Sequence, residues 1–389
     1  MEQELTTAYA IEWSTQAVDN RLLSFQGAEM GAEAARLTHG RHKHFTPTAL
    51  VTKNPSVIKV RSDQLTLRIL SGLLDGKKYT RCLEHRVATY TMSLPKSRGI
   101  VSLSFSPRDE ESWDHVLASL DALGDELVDT FLVLLAIALD TNGAEYITLP
   151  FAITLDDILA IRQKKKSKGS YSARQRQDVL EDLYALARAS VSATITLPQG
   201  KQRDIESPLL EMLTDCPLAE TETRVGFARW PVYHLKIGNW ATMIPEHQHQ
   251  IAVLARQVLR YHAKKQRHEK RLGRYLTMLY RINAHKHEDR VKVSMGVLLE
   301  HAGIAPDLNH PGRTLEAIES ALEQLRTDGV IGPFVPQVED SSRGREIQKR
   351  IREHAYHWWD DYRQQLWRFD LPDYLREAYQ SGPLRKTGV

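Results

Sequence analysis

The run Thr154-Leu155-Asp156-Asp157-Ile158-Leu159-Ala160-Ile161, the basic stretch Lys164 to Ser172 and the amphipathic stretch Ala173 to Ala189 decide the fold. Thr154 and Asp157 have the spacing of a capping box with Asp in the place of Glu, so a short helix begins at Leu155. Val179, Leu180, Leu183, Leu186 and Ala187 fall on one face at helical spacing and predict a longer helix from about Ala173. Upstream, Asp125 to Asp140 reads as a strongly apolar helix stopped by Asn142-Gly143, residue types that tolerate the left-handed backbone of a helix end. Downstream, Ser192 to Leu197 reads as extended, as does Arg224 to Trp230 continuing through Val232 to Ile237.

Three helices followed by a β-hairpin is the element order of a winged helix-turn-helix, here with a long insertion at the hairpin tip. The order recurs. Helices over about His247 to Tyr261 and Arg271 to Ile282 precede Val291 to His301, the turn Ala302-Gly303-Ile304-Ala305-Pro306 and a helix from about Arg313 to Thr327. Leu315, Ile318, Leu322 and Leu325 give that last helix its buried stripe, and Phe334-Val335 reads as a short strand. No residue-by-residue repeat accompanies the shared order.

Further out, an amphipathic helix is expected near Val18 to Leu37, then a polar connection at His39 to His44. Strands are expected at Val57 to Val60, Leu65 to Leu70 and Ile100 to Phe105. A helical segment from Arg345 to Arg368 carries Trp358, Trp359, Tyr362 and Trp367, which either anchor the tail to the preceding domain or dock a partner. The expected fold class is therefore α+β, mainly α. It comprises a small β-containing N-terminal module over 1–115, winged-helix domains over 120–240 and 241–338, and a helical aromatic C-terminal tail over 345–389.

The 389 residues exceed a usual single domain, and 42% hydrophobic content is enough to build cores. The net charge of +3 does not by itself announce nucleic acid, so the distribution of charge must carry that argument. Two cysteines, Cys82 and Cys216, form neither a disulfide framework nor a thiolate metal site, which fits a reducing, cytoplasmic compartment. Met1 to Asn20 lacks the pattern of a signal peptide. The longest apolar run, Phe131 to Leu139, is about half of what a bilayer requires, so no membrane partner is expected.

Charge is concentrated in two places. Arg162, Lys164, Lys165, Lys166, Lys168, Arg174 and Arg176 give a run of +7 without an acid, in the linker and first turn where a helix-turn-helix meets phosphate and the major groove. Tyr171 and Ser172 can donate to phosphate there, and Arg174, Gln175 and Arg176 can read purine edges. The second cluster, of net charge +6, holds Arg260, Lys264, Lys265, Arg267, Lys270, Arg271 and Arg274 around Glu269. The later recognition helix carries Glu316, Glu319 and Glu323, so its DNA contact is expected at Asn309, His310, Arg313 and Thr314.

Catalytic readings are weaker. His42-Lys43-His44, His247-Gln248-His249 and His285-Lys286-His287 resemble the paired histidines of metal-dependent, tyrosine-using nucleases, but each central residue is polar where that motif places an apolar one. His287-Glu288-Asp289-Arg290 matches the H-x-x-R of tyrosine recombinases without a suitably placed tyrosine after His310. No G-x-x-x-x-G-K-[ST] occurs. The expectation is a non-enzymatic protein with no catalytic residues, no metal and no cofactor.

The run Ile153 to Leu159, the basic linker with Arg174 to Val179, Ser192 to Leu197, Pro231 to Trp240 and Lys270-Arg271-Leu272-Gly273-Arg274-Tyr275-Leu276 resemble the tandem winged-helix replication initiators of bacterial plasmids and related mobile elements. The resemblance covers about 120–340 and rests on element order and charge placement. It implies binding of double-stranded DNA at repeated origin sites in a bacterial cytoplasm, on the plasmid or nucleoid. It also implies host replication proteins as partners and a homodimer as one state of the chain. A transcriptional regulator shares the same fold and differs in what the bound site controls.

Overall fold

In the computed structural model, described residues are 57–94, 99–108, 111–196, 202–214, 231–242, 251–284, 290–307, 309–337, 345–346, 349–351, 353 and 357–380, all in one compact unit over Phe45–Val389. The helix expected near Val18 to Leu37, the His39 to His44 connection and the extended run Arg224 to Trp230 lie outside them. Helices and antiparallel sheets alternate in an α+β arrangement. Among the described residues no helix is long and apolar enough to cross a membrane.

The element sequence begins with β1 (Val57–Arg61), α1 (Gln64–Gly72), β2 (Thr80–Cys82), β3 (Val87–Ser93), β4 (Gly99–Phe105) and α2 (Trp113–Ala122). Leu65 to Leu70, read from its alternation as a strand, is helical. Asp63 caps it by accepting from the Thr66 amide at 2.9 Å, and Leu65, Ile69, Leu70 and Leu73 line one buried face. A run this short satisfies both periodicities, and the cap decides between them.

Next come α3 (Asp125–Asn142), β5 (Phe151–Thr154), α4 (Leu155–Ile161), α5 (Ala173–Arg188), β6 (Ala189–Thr196), β7 (Gln202–Pro208), β8 (Leu210–Thr214) and β9 (Val232–Ile237). From Leu127 to Ala138 every residue of α3 is at most 1% exposed, as an all-round apolar helix must be. Phe131 and Trp240 approach with ring centroids 6.1 Å apart in this core.

The hairpin expected after α5 is assembled differently. Ser192 to Leu197 was expected to pair with the strand ending at Ile237, yet β6 lies between β4 and β7 in a five-stranded sheet of order β2-β3-β4-β6-β7. The hairpin is β8–β9, and β5 joins it in a sheet of order β5-β9-β8. The boundary expected at 115 is also bridged. Gly99 to Phe105 pairs along its length with Ile195 to Ala189, and β1 pairs with β10 (Ile251–Ala255), because strands whose backbone groups are buried need ladder partners. The N-terminal strands therefore belong to the same body as the later elements.

The chain continues with α6 (Arg256–Arg260), α7 (Arg267–Ala284), β11 (Arg290–Ser294), α8 (Met295–His301), α9 (Pro311–Thr327), β12 (Phe334–Pro336), α10 (Trp358–Gln364), β13 (Leu366–Asp370) and α11 (Asp373–Gln380). Ile251 to Ala255 is a strand where a helix starting at His247 was expected. Leu366 to Asp370, expected inside a helical tail, is the central strand of the sheet β11-β13-β12. Its alternation explains this: Trp367 and Phe369 point into the core while Leu366 is exposed. The boundary near 338 thus falls inside one folded unit, and the aromatic tail is part of it.

With β6 and β7 inserted in the first and α10 in the second, the order helix, strand, helix, helix, strand, strand, with sheet order first-third-second, occurs in α3 to β9 and again in α7 to β13. No residue-by-residue repeat is legible in the sequence alone, yet the structure aligns the two capped helices residue by residue at a constant offset. Thr154 and Ser294 both cap a seven-residue helix directly after a strand, and Leu155, Ile158 and Leu159 match Met295, Leu298 and Leu299, all buried. Both helices then end in a Schellman motif with a left-handed residue, Gln163 at φ 53° and Gly303 at φ 67°. There the Lys164 amide donates to Leu159 at 3.0 Å and the Ile304 amide to Leu299 at 2.8 Å.

Candidate nucleic-acid interface

The basic linker between α4 and α5 is a constrained turn. Ser167 and Ser170 exchange backbone hydrogen bonds of 2.8 and 3.1 Å, and the two residues between them, Lys168 and Gly169, both have positive φ, 51° and 84°. That is the signature of a type I′ hairpin turn, for which Gly at the second position is favoured. Ser172 caps α5 reciprocally with Gln175, and the Gln175 side-chain amide donates to the Lys165 carbonyl at 3.2 Å, fastening the turn to the helix start. Tyr171 is buried beneath it, with the Lys166 ammonium 5.1 Å from its ring centroid.

This geometry sorts the residues expected to contact DNA. Lys165, Lys166, Lys168, Ser172 and Arg174 are exposed around the turn and the first turn of α5. Arg176 instead forms a two-pronged pair with Asp156 on α4, at 2.6 and 2.9 Å, and donates to the Tyr171 carbonyl at 2.7 Å. The Asp156 carboxylate raises the Arg176 pKa and fixes the guanidinium against α4, away from the role of base reader expected of it. Gln175 is committed to the cap, and Tyr171 is buried. Lys164 pairs with Glu126 at 2.8 Å, and burial pushes its pKa down to about 8.

Beyond its first turn, α5 exposes Gln177, Asp178, Glu181 and Tyr184, so positive charge is confined to the turn and the helix start.

The second basic cluster divides more sharply. Lys264, Lys265 and Arg267 are exposed, but Lys270, Arg271 and Arg274 are buried. Arg271 Nε donates to Asp125 at 2.9 Å, and Arg274 donates to Asp125 and Asp129 at 2.7 and 2.6 Å. Lys270 pairs with Asp129 and donates to the Leu259 carbonyl. Burial pushes the Lys270 pKa down to about 8, with Asp129 opposing the shift. These three cations join α3 to α7 and do not face solvent, which corrects their expected role as phosphate contacts.

A parallel network lies one residue along α3. Glu126 and Thr130 meet Arg162 and Asp182, with Thr130 Oγ1 donating to Asp182 at 2.6 Å and Arg162 donating to Thr130 at 2.8 Å. The sequence carried a sign of both networks. Asp125/Asp129 and Glu126/Thr130 are i,i+4 pairs inside an otherwise apolar helix, and Lys270/Arg274 repeat that spacing on α7.

On the second copy, Arg313 is exposed at the start of α9. Thr314 is buried, and its hydroxyl accepts from the Asp307 amide at 3.0 Å, so it stabilises the turn and is not available to DNA. Glu316, Glu319 and Glu323 are exposed along α9, with Glu323 paired to Arg326. His42, His44, His247, His249, His285 and His287 lie outside the described residues.

No protein-family model matches the sequence. A search of curated proteins finds no match. Among solved structures the chain is similar to the crystal structure of RctB domains 2-3, with TM-score 0.39 and 11% identity, covering 80% of this chain and 99% of that one. It is also similar to selenomethionine derivatives of domain 2 and domain 3 of RctB, with TM-score 0.38 and 11% identity, covering 70% and 92%. A likeness at this level carries no functional argument.

Proposed function

We propose that α3 to β9 and α7 to β13 are two winged helix-turn-helix units through which the chain binds double-stranded DNA in a sequence-specific, non-enzymatic way. The observation that carries this reading is the rigid turn Ser167–Ser170, which holds Lys165, Lys166 and Lys168 beside Arg174 at the start of α5, where a recognition helix meets the duplex. A loop merely solvated by its lysines has no need of two left-handed residues and a glutamine fastening it to the next helix. The doubled element order supports two such units on one chain. The resemblance to tandem winged-helix replication initiators supports origin binding as the biological role. The exposed acids on both third helices concentrate binding at the helix starts.

The test is duplex binding at several salt concentrations. Replacing Lys165, Lys166 and Lys168 together by Ala is expected to weaken binding to all sequences alike and to lower the salt slope by about 2 to 3, because each phosphate contact releases counterions. Unchanged affinity and slope overturn the reading. Mapping of bound sites around the chain's own gene then separates roles: clustered direct repeats fit an initiator, and a promoter-overlapping palindrome fits a repressor. Nicked product in the presence of Mg²⁺ or Mn²⁺ would contradict the non-enzymatic part.

A further inference from the structure

We propose that the cleft between α1, the start of α7 and the turn after α8 binds a small phosphate-bearing ligand of about mononucleotide size. The cleft encloses about 410 Å³, within the range of small-molecule sites. Four permanent cations line it, from three parts of the chain far apart in sequence: Lys78, Arg267 with Arg271, and Arg363. Two carboxylates, Asp75 and Glu300, share the lining, and Asp125 meets Arg271 behind it. Of the lining pair, Asp75 is engaged, since it caps the 3₁₀ turn Gly76–Lys78 by accepting from the Lys77 amide at 3.0 Å.

Arg271 is committed to Asp125 and to the Gly303 carbonyl, so Lys78, Arg267 and Arg363 are the cations open to an occupant. Asp125 is shared by Arg271 and Arg274 at 2.9 and 2.7 Å, which leaves Arg267 no closer than 3.7 Å to it and with its side chain 53% exposed. Lys78 is exposed, with its ammonium 5.8 Å from the Tyr90 ring centroid. Arg363 is exposed near the end of α10. In the same wall the Nδ1 of His268 is buried without a hydrogen-bond partner among the described residues. Guanidinium groups converging with an ammonium suit the several oxygens of a phosphate. The apolar part of the lining, Leu74, Leu299 and Ile304, suits an organic body attached to that phosphate better than a bare ion. An occupant here would tie α1 and α10 to the turn that joins α8 and α9.

Calorimetric titration of the full chain with ADP, and in parallel with inorganic phosphate, tests this at fixed ionic strength and without DNA. Binding of ADP is expected, tighter than that of phosphate. Arg267→Ala and Arg363→Ala should each weaken it roughly tenfold, while Lys265→Ala, outside the cleft, should leave it unchanged. Absence of binding by both probes overturns the proposal, as does equal binding by all variants. Loss of duplex binding in Arg267→Ala and Arg363→Ala, with no ADP binding by the parent chain, also overturns it and assigns these cations to the DNA backbone. Because the titration contains no DNA, its failure leaves the DNA-binding reading untouched, and the reverse holds.

Discussion

Arg274 on α7 donates from Nη2 to Asp129 Oδ1 on α3 at 2.6 Å, with side chains 6% and 0% exposed. The two 18-residue helices that open the repeated units are thus joined by ionic groups withdrawn from water. Asp129→Ala leaves buried Lys270 without its carboxylate and Arg274 with Asp125 alone, and is expected to cost about 3 to 5 kcal/mol in chemical denaturation. Asp129→Leu combined with Lys270→Met removes both charges and should recover a large part of that loss. A single Asp129→Ala variant as stable as the parent would show that these charges reach water.

Arg174 and Arg176 separate by the same logic. Arg174→Ala should weaken binding to the cognate site by about 1 to 3 kcal/mol and to random DNA much less, as for a lost base contact. Arg176→Ala removes the Asp156 pair and the bond to the Tyr171 carbonyl, so its expected effect is lower stability with cognate and random DNA weakened together. Competition binding with both variants decides this; selective loss of cognate affinity in the Arg176 variant would mean that the pair opens on DNA.

The sequence showed the three-helix order, the capping boxes and the basic turn because each is encoded locally. It did not show that Leu366 to Asp370 completes a sheet begun at Arg290, or that Ser192 pairs with Ser102, since such pairings are settled by partners far away in the chain. The error over Lys270, Arg271 and Arg274 has the same origin. A cluster of cations reads as surface until the acids that bury it are seen, and Asp125 and Asp129 lie about 140 residues earlier.

The turn offers a way to separate shape from charge. Lys168→Asn keeps a residue that accepts positive φ ahead of Gly169, so the hairpin and the folded stability should persist while the salt slope falls by about 0.9. Gly169→Val places a β-branched residue at φ 84° and should disturb the turn with every lysine retained. Duplex binding at several salt concentrations, beside thermal unfolding, reads both. A weakened Lys168→Asn variant with an unchanged slope would mean that Lys168 acts through the fold alone.

Asp182 on α5 accepts from Thr130 at 2.6 Å and lies 3.4 Å from Arg162. Burial raises its pKa from 3.8 to about 6; Arg162 and the Thr130 hydrogen bond pull it down, and Asp129 and Asp178 add to the rise. The folded chain then holds this proton more tightly than the unfolded chain does. Between about pH 4 and pH 6 the folded state is the more protonated one, so the stability contributed by this group is present at the acid end and is lost as pH rises. A shift of that size amounts to something on the order of 2 to 3 kcal/mol across the window. Asp182→Asn cannot titrate. Its stability relative to the parent should therefore increase from pH 4 to pH 7 by about that amount, whatever constant offset the lost ion pair with Arg162 introduces. Urea unfolding of both proteins at pH 4, 5, 6 and 7 measures the difference directly. Parallel profiles would mean that Asp182 keeps an ordinary carboxylate pKa and that Arg162 fully offsets its burial.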